Sequence, residues 1–449
     1  MVFWITVQCL CFALCLWLMA IHWFRYQSRP TVTTIKSTAY PISDIPFPAV
    51  TVCNSNLVYK KNIDVYVDIL KNKGVNETLI EKYFNQLNYL IQLDTSNGND
   101  NLSDFAEVQQ IFNDLNISTS KMMRHLAHPC NEMVTYCTWA GVKYNCSDLF
   151  KTVKSGLGFC CSFNYHNALT NTNEPLPEFN KPVVANGAGM THGLGILVNI
   201  DADQYVSSVL PFDAVFILVH PNWDYADLSA FSIAVQPGDF ALMQLTPTVY
   251  TSESVLKSVS VDRRNCWFGY EGDLQSSHDY SFSNCVTECK AKAIYSLCKC
   301  IPYYFPSLGK REQCTLQHAE CLKNNENTPV ANITACNCLP ECEDVLYDGY
   351  LNAVKGSLNG TAAYAQIYYD HSWCVEYNQS LNLTWDVLLA SLGGIFGLCL
   401  GGSLISLVEV VFYIFKSIIL TIVQCKKVVP QNQFKQKNIN TRITTVAHY

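Results

Sequence analysis

The 29 residues from Val387 to Phe415, VLLASLGGIFGLCLGGSLISLVEVVFYIF, hold one charged side chain, Glu409. A bilayer core is crossed by about 20 predominantly apolar residues, so this run is long enough to span one. As one straight helix it would extend about 44 Å at about 1.5 Å per residue, more than a hydrocarbon core of about 30 Å requires. Tilt, a break, or continuation beyond the membrane would each absorb the surplus. Gly393, Gly394, Gly397, Gly401 and Gly402 crowd its centre, although a glycine costs a helix interior about 1 kcal/mol relative to alanine. Two readings account for them. Gly393, Gly397 and Gly401 stand four apart, the small-xxx-small spacing that lets membrane helices approach closely. Alternatively, Gly401-Gly402-Ser403 presents backbone carbonyls and a hydroxyl to a passing ion, as selectivity filters do. Glu409 lies about two turns further on, and an acid inside a span marks a functional position by default. The readings are compatible, since a helix that packs on its symmetry mates through glycine also lines whatever lies between them.

A second apolar run, Val2 to Phe24, has no Lys, Arg, Asp or Glu. Signal peptides carry a basic start and an apolar core of about 7–15 residues. This run has no basic start and is longer, so a retained span over residues 2–24 is expected. Arg25 and Arg29 follow it and nothing basic precedes it, against the positive-inside rule for a cytoplasmic N-terminus. Residues preceding Met1 in a longer chain would reconcile the two.

Between the runs lie 17 of the 22 cysteines. So many in one segment imply an oxidising compartment and a disulfide framework, with at least one thiol free or bridging chains because the number is odd. The framework is assigned to Cys53, Cys130, Cys137, Cys146, Cys160 and Cys161 in the first half. In the second it is assigned to Cys266, Cys285, Cys289, Cys298, Cys300, Cys314, Cys321, Cys336, Cys338 and Cys342. Adjacent Cys160 and Cys161 are expected to reach different partners. The Cys298/Cys300 and Cys336/Cys338 pairs lack the CxxC companions of a zinc site, so no metal or other cofactor is expected. N-x-[ST] sequons at Asn76, Asn101, Asn116, Asn145, Asn332, Asn359 and Asn378 fall in the same segment and mark it as extracellular; an eighth, Asn382, lies close to the second span. Up to Asp386 the chain holds 36 acids against 24 bases, while residues 416–449 carry six bases and no acid. A basic flank reads as cytoplasmic. The acidic exterior speaks against nucleic acid; it reads as a solubility device or as a means of gathering cations.

Within the exterior, Pro46 to Asn54 reads as a strand, and Asp64 to Leu93 as helix in two halves interrupted at Gly74. Asp94 to Asp104 reads as a loop, and the acids Asp100, Asp104, Glu107 and Asp114 as a solvated face. Short apolar runs from Leu194 to Tyr250 are expected to be strands of one core sheet. Cys285 and Cys289 share a helix face through about Leu297, opening a small helical lobe stapled by disulfides.

Four stretches carry a family resemblance: FPAVTVCN (Phe47–Asn54), GFCCSFN (Gly158–Asn164), CVTECKAKAIYSLCKCIPYYFP with the later CNCLPEC (Cys285–Pro306, Cys336–Cys342), and GLCLGGSLISLVE (Gly397–Glu409). RRNC (Arg263–Cys266) and YSFSNC (Tyr280–Cys285) add to them. The chain resembles the epithelial sodium channel/degenerin family, in particular its insect pickpocket-like subunits, over nearly its whole length. The resemblance implies a membrane α+β protein: two transmembrane helices flanking a large disulfide-rich extracellular domain with a β-sheet palm and helical finger and thumb. It implies residues 2–24 as the first span, 25–386 outside, 387–415 as the second span with the pore, and 416–449 as a cytoplasmic tail. Leu194 to Tyr250 would supply palm and β-ball, and Cys285 to Cys342 the thumb. It further implies a trimer, homomeric or built with related subunits, that passes Na⁺ across the plasma membrane, is blocked by amiloride and has both termini cytoplasmic. Gly401, Gly402 and Ser403 fall on the family's filter, Gly397 on the blocker position, Ala390 on the outer mouth, and Glu409 on the inner pore. The family's His-Gly pair before the first span has no counterpart here.

Competing readings are an ATP-gated trimer, which needs a basic nucleotide pocket that an acidic exterior does not suggest, and a pore-less membrane-tethered receptor or adhesion protein. An ectoenzyme lacks support, since neither HExxH nor G-x-S-x-G occurs.

Overall fold

The computed structural model of the protein describes residues 2–28, 30–91, 105–167, 181–309, 311–325, 336–356, 360–403, 405–406 and 408–422. The sequons at Asn101, Asn332 and Asn359, the loop from Asp94 to Asp104, and the tail from 423 onward with Cys425 lie outside the described residues. The chain divides into two units, Met1–Val32 with Leu381–Tyr449, and Thr33–Ser380.

The first unit opens with α1, Val2–Ser28, 27 residues apolar on every side and almost wholly exposed. A helix apolar all round belongs in a core or a bilayer. Among the described residues α1 is the helix long and apolar enough to cross a membrane.

The second unit is built on two facing sheets. The larger holds β1 (Thr31–Pro41), β4 (Val134–Trp139), β5 (Val142–Tyr144), β8 (Leu194–Asn199), β12 (Asp239–Ser252), β13 (Asp344–Lys355), β14 (Ala362–Tyr369) and β15 (Trp373–Leu381). Its order is β1-β15-β12-β14-β8-β4-β5, with β13 antiparallel to β12. Ala241, Met243, Leu245 and Val249 of β12 are buried at period two, as a strand with one covered face requires. The smaller sheet runs β11 (Phe231–Val235), β10 (Val215–His220), β2 (Ala49–Asn54), β7 (Gly158–Phe163), β6 (Phe150–Ser155), all antiparallel. Between the sheets lie Val50, Val52, Phe163, Val215 and Ile217 with Ile196, Met243 and Ile367. An aromatic knot closes one part of this core, with the Phe47 ring 4.7 Å from Trp139 and 5.3 Å from Tyr369.

The other face of the smaller sheet is also covered. Helices α2 (Asp64–Asn72), α3 (Glu77–Asn85), α4 (Ala106–Asp114), α5 (Thr119–Leu126), α6 (Phe282–Cys298) and α7 (Ala319–Asn324) share a second core with Cys53, Cys160 and Leu218. Gly74, at φ +84°, separates α2 from α3. Being buried on both faces, β2 shows no alternation of burial at all; its buried Thr51 is met by polar groups of both neighbouring strands, Oγ1 lying 2.8 Å from Ser162 Oγ of β7 and 2.8 Å from His220 Nε2 of β10. A small pair, β3 (Asn56–Tyr59) with β9 (Tyr205–Ser208), sits apart from both sheets.

The expectation of one core sheet from Leu194 to Tyr250 is corrected by this arrangement. β8 and β12 belong to the larger sheet, β10 and β11 to the smaller, and β9 to the two-stranded pair. The runs look alike in sequence because each buries apolar side chains; which layer they enter depends on partners far away in the chain, such as β14 and β15 for β12.

Eight disulfides occur among the described residues: Cys53–Cys160, Cys130–Cys161, Cys137–Cys146, Cys266–Cys342, Cys285–Cys338, Cys289–Cys336, Cys298–Cys321 and Cys300–Cys314. Successive residues of a strand face opposite ways, so Cys160 joins the helical core and Cys161 the sandwich core. One turn apart on α6, Cys285 and Cys289 bond to Cys338 and Cys336 as two rungs of a ladder. Cys374 in β15 is buried and unpaired among the described residues.

Candidate functional site

The first unit resumes with α8, Trp385–Leu400, starting from Thr384. At 16 residues it is about 24 Å long, short of a bilayer core of about 30 Å. It packs along α1, where Cys15 and Leu388 are buried. Glycine is not needed for that packing: beyond the local backbone of its own helix, a Cβ at Gly393 or Gly394 would meet no described atom within 4 Å.

The run from Val387 to Phe415 is not one helix. α8 stops at Leu400, residues 401–403 are non-helical, and helical backbone returns at 405–406 and 408–422. Of the three ways to absorb the surplus length, the chain uses the break. Its local chemistry is readable residue by residue. Gly401 adopts the left-handed conformation at φ +63°, and its N–H donates to Gly397 O at 2.9 Å. That is the αL cap with which glycine ends helices. Gly402 has the Phe396 ring where a Cβ would stand, so a side chain there would displace the ring. Ser403 then starts the next helical stretch: its Oγ accepts the N–H of Ser406 at 3.3 Å, and the Ser406 hydroxyl takes the N–H of Ser403 at 3.4 Å. A hydroxyl accepting the amide three residues on is the N-cap bond. Gly-Gly-Ser is therefore a stop followed by a start.

The break sets one helix end against another. The last carbonyls of α8 lack intrahelical partners and carry the negative end of its dipole, worth about half an elementary charge. Carbonyl oxygens and a serine hydroxyl at such a point can take the place of water around a cation. Ala390 and Gly397 are two turns apart on one face of α8, about 11 Å along its axis, and Gly401 caps the helix just beyond, its N–H on Gly397 O. Ala390, Gly401 and Ser403 are exposed in the single chain, and Gly397 and Gly402 partly so. Glu409 lies exposed in the second helical stretch. Ser406 was not singled out from sequence; the Ser-x-x-Ser spacing is the signal that finds it.

In the second unit, Asn76, Asn116 and Asn145 are exposed, whereas Asn378 is half-buried, its amide oxygen 3.4 Å from Thr251 Oγ1 and its amide nitrogen 3.5 Å from Glu253 Oε1. Glu107 and Asp114 are exposed on α4. Arg264, within the RRNC stretch, is almost fully buried and pairs with Glu271, a role not read from sequence.

The profile of the family described as Amiloride-sensitive sodium channel matches residues 1–413. The chain belongs to that family. Among its relatives, Pickpocket protein 28 of Drosophila melanogaster is 23% identical over 444 residues, covering 87% of this chain and 70% of the relative. Sodium channel protein Nach of Drosophila melanogaster is 24% identical, covering 91% of this chain and 81% of the relative. The Bile acid-sensitive ion channel of Homo sapiens is 24% identical, covering 92% and 80% respectively. The amiloride-sensitive sodium channel family is one of plasma-membrane ion channels, not enzymes. In this member the break at Gly401 to Ser403 falls within the matched region, near its C-terminal end.

Proposed function

We propose that this chain is a subunit of a trimeric, sodium-selective, amiloride-blocked cation channel of the plasma membrane, homomeric or assembled with related subunits. Residues 2–24 and 387–415 serve as its two membrane spans, with both termini cytoplasmic and residues 25–386 outside. The observation that carries the reading is the interruption of helical backbone at Gly401, Gly402 and Ser403. Unpaired backbone at membrane depth is tolerated only where it is buried in protein or lines a water-filled cavity. A helix stopped there by a glycine cap and restarted by a serine suits a pore lining and is what a lipid-facing helix avoids. Three copies of Gly401-Gly402-Ser403 around an axis replace part of the hydration of Na⁺ with carbonyl and hydroxyl oxygens. Gly397, one turn outward, offers the blocker a face without side chains; Ala390 lines the outer mouth and Glu409 the inner pore.

Patch-clamp recording of the chain, alone and with a related subunit, tests this. Ser403→Cys is expected to change the Na⁺/K⁺ permeability ratio, and Gly397→Cys to weaken block by amiloride. Current whose ion selectivity is identical in wild type and Ser403→Cys removes the filter assignment.

A further inference from the structure

A cavity of about 940 Å³ opens on the second unit between α2, α5 and the start of β6. Pockets that hold drug-sized molecules run from about 300 to 1,000 Å³. Its lining is divided by chemistry. Val65, Tyr66, Ile69, Ile117 and Phe150 form an apolar wall, and Val65 keeps 56% of its surface exposed on the face of α2 turned away from the helical core. Lys121 and Lys151 supply positive charge, and among the described residues that line it there is no Asp or Glu. The Lys151 ammonium donates to the Ser147 carbonyl at 3.2 Å, a neutral partner, and among the described residues it has no ion pair. His128, also in the lining, is held neutral, burial lowering it to about 4. A described lining with bases and no acid, although Glu132 and Asp201 lie near His128 behind it, is out of keeping with residues 1–386, in which acids outnumber bases 36 to 24. Stray charge would on average have been negative here.

We propose that this cavity binds an amphipathic organic anion, a carboxylate or sulfonate on a hydrocarbon or aromatic body. The head lies against Lys121 and Lys151, where charge-assisted hydrogen bonds are the strong ones. The body covers Val65, Ile69 and Phe150, whose apolar surface gains by leaving water. Neither half suffices alone: an inorganic anion leaves the wall wet, and a neutral hydrocarbon leaves the ammonium groups unanswered.

The test uses the full chain in lipid nanodiscs and two fluorescent probes with the same rings, anilinonaphthalene sulfonate and its uncharged analogue phenylnaphthylamine. Protein-free nanodiscs give the membrane background. Wild type is expected to bind the sulfonate saturably and more tightly than the neutral probe. Lys121→Gln/Lys151→Gln is expected to weaken sulfonate binding about tenfold, about 1.4 kcal/mol, and to leave the neutral probe within twofold. Val65→Asp, at an exposed position, is expected to weaken both probes. Absence of saturable sulfonate binding overturns the proposal, and so does equal affinity in the lysine double variant, with folding verified by elution volume. Equal affinity in Val65→Asp overturns the assignment of the apolar wall, and with it the amphipathic ligand.

Discussion

Substitution of Arg264 is expected to loosen a buried turn of the second unit. Its side chain is 2% exposed. Its Nε–H donates to the Cys266 carbonyl at 3.0 Å and its Nη1 to the Val259 carbonyl at 2.8 Å, while Nη2 pairs with Glu271. The guanidinium also lies 4.8 Å from the centre of the Phe268 ring. Glu271 in turn accepts the Phe268 N–H at 3.0 Å, so one cation organises a whole turn beside the Cys266–Cys342 bridge. Arg264→Met keeps much of the volume and removes every donor. Two carbonyls lose partners at about 1–3 kcal/mol each, and breaking a buried ion pair costs about 3–5 kcal/mol. Because Glu271 remains 21% exposed, water recovers part of this, and about 3 kcal/mol is the expected local loss. At about 1.4 kcal/mol per decade that is about a hundredfold faster hydrogen exchange at the Phe268 amide, measured on the full chain. Arg264→Met/Glu271→Gln is expected to recover about a tenth of the way or better, since a neutral amide tolerates the loss of its cation. A change below threefold in Arg264→Met, or strictly additive effects in the double variant, refutes the reasoning.

Asp224, Glu341 and Asp344 gather near the start of α6, where the Phe282 N–H donates to Glu341 at 2.7 Å. Burial and then the charge of Glu341 raise Asp224 to about 8; burial and then Asp344 raise Glu341 to about 7; burial raises Asp344. The groups facing them are Tyr165, Tyr280 and Tyr347. The folded state holds protons that the unfolded chain gives up near pH 4, so stability should fall as pH rises from about 4 to about 8. Thermal midpoints at pH 5 and pH 8 should show this, and an unchanged slope in Asp224→Asn would exclude the cluster as its source. Ala390→Phe is expected to raise resting current by obstructing closure at the outer mouth; a variant with wild-type leak counts against that role. Cys374 should take up iodoacetamide only after denaturation, read by mass spectrometry, because it is 4% exposed and burial raises its thiol pKa. Asn76→Gln should remove one glycan by gel shift while Asn378→Gln leaves the pattern unchanged; a shift on the latter contradicts its half-buried, bonded state.

Local chemistry was the part legible in the sequence. Gly74 between two helical halves, the helical spacing of Cys285 and Cys289, and glycines followed by serine in the last apolar run all act within a few residues, where propensity and capping rule. The layer a strand joins is decided elsewhere. β10 and β12 carry similar apolar runs, yet one is clamped between β2 and β11 and the other among β13, β14 and β15, and no window of sequence contains those partners. Within Pro46 to Asn54 the strand was legible and is present as β2, but its burial was not: both of its faces are covered, so Thr51 and Cys53 are as buried as Val50 and Val52. Arg264 escaped notice because an arginine beside another arginine reads as a solvated pair until Glu271 and Phe268 are seen to enclose it. At the break, residue types alone left helix packing and pore open together; the left-handed Gly401 and the Ser403 cap decide that the helix is interrupted.

Consecutive cysteines on β7 tether it in opposite directions, Cys160 to β2 on the helical side and Cys161 to Cys130 at the sandwich. β7 therefore cannot slip in register against its neighbour β2, nor part from the segment that leads into β4 of the larger sheet, without a bond being cut. The two sheets are thereby pinned to each other at this point, and a displacement of β7 is carried straight to the end of β4, with no sliding between the layers to absorb it.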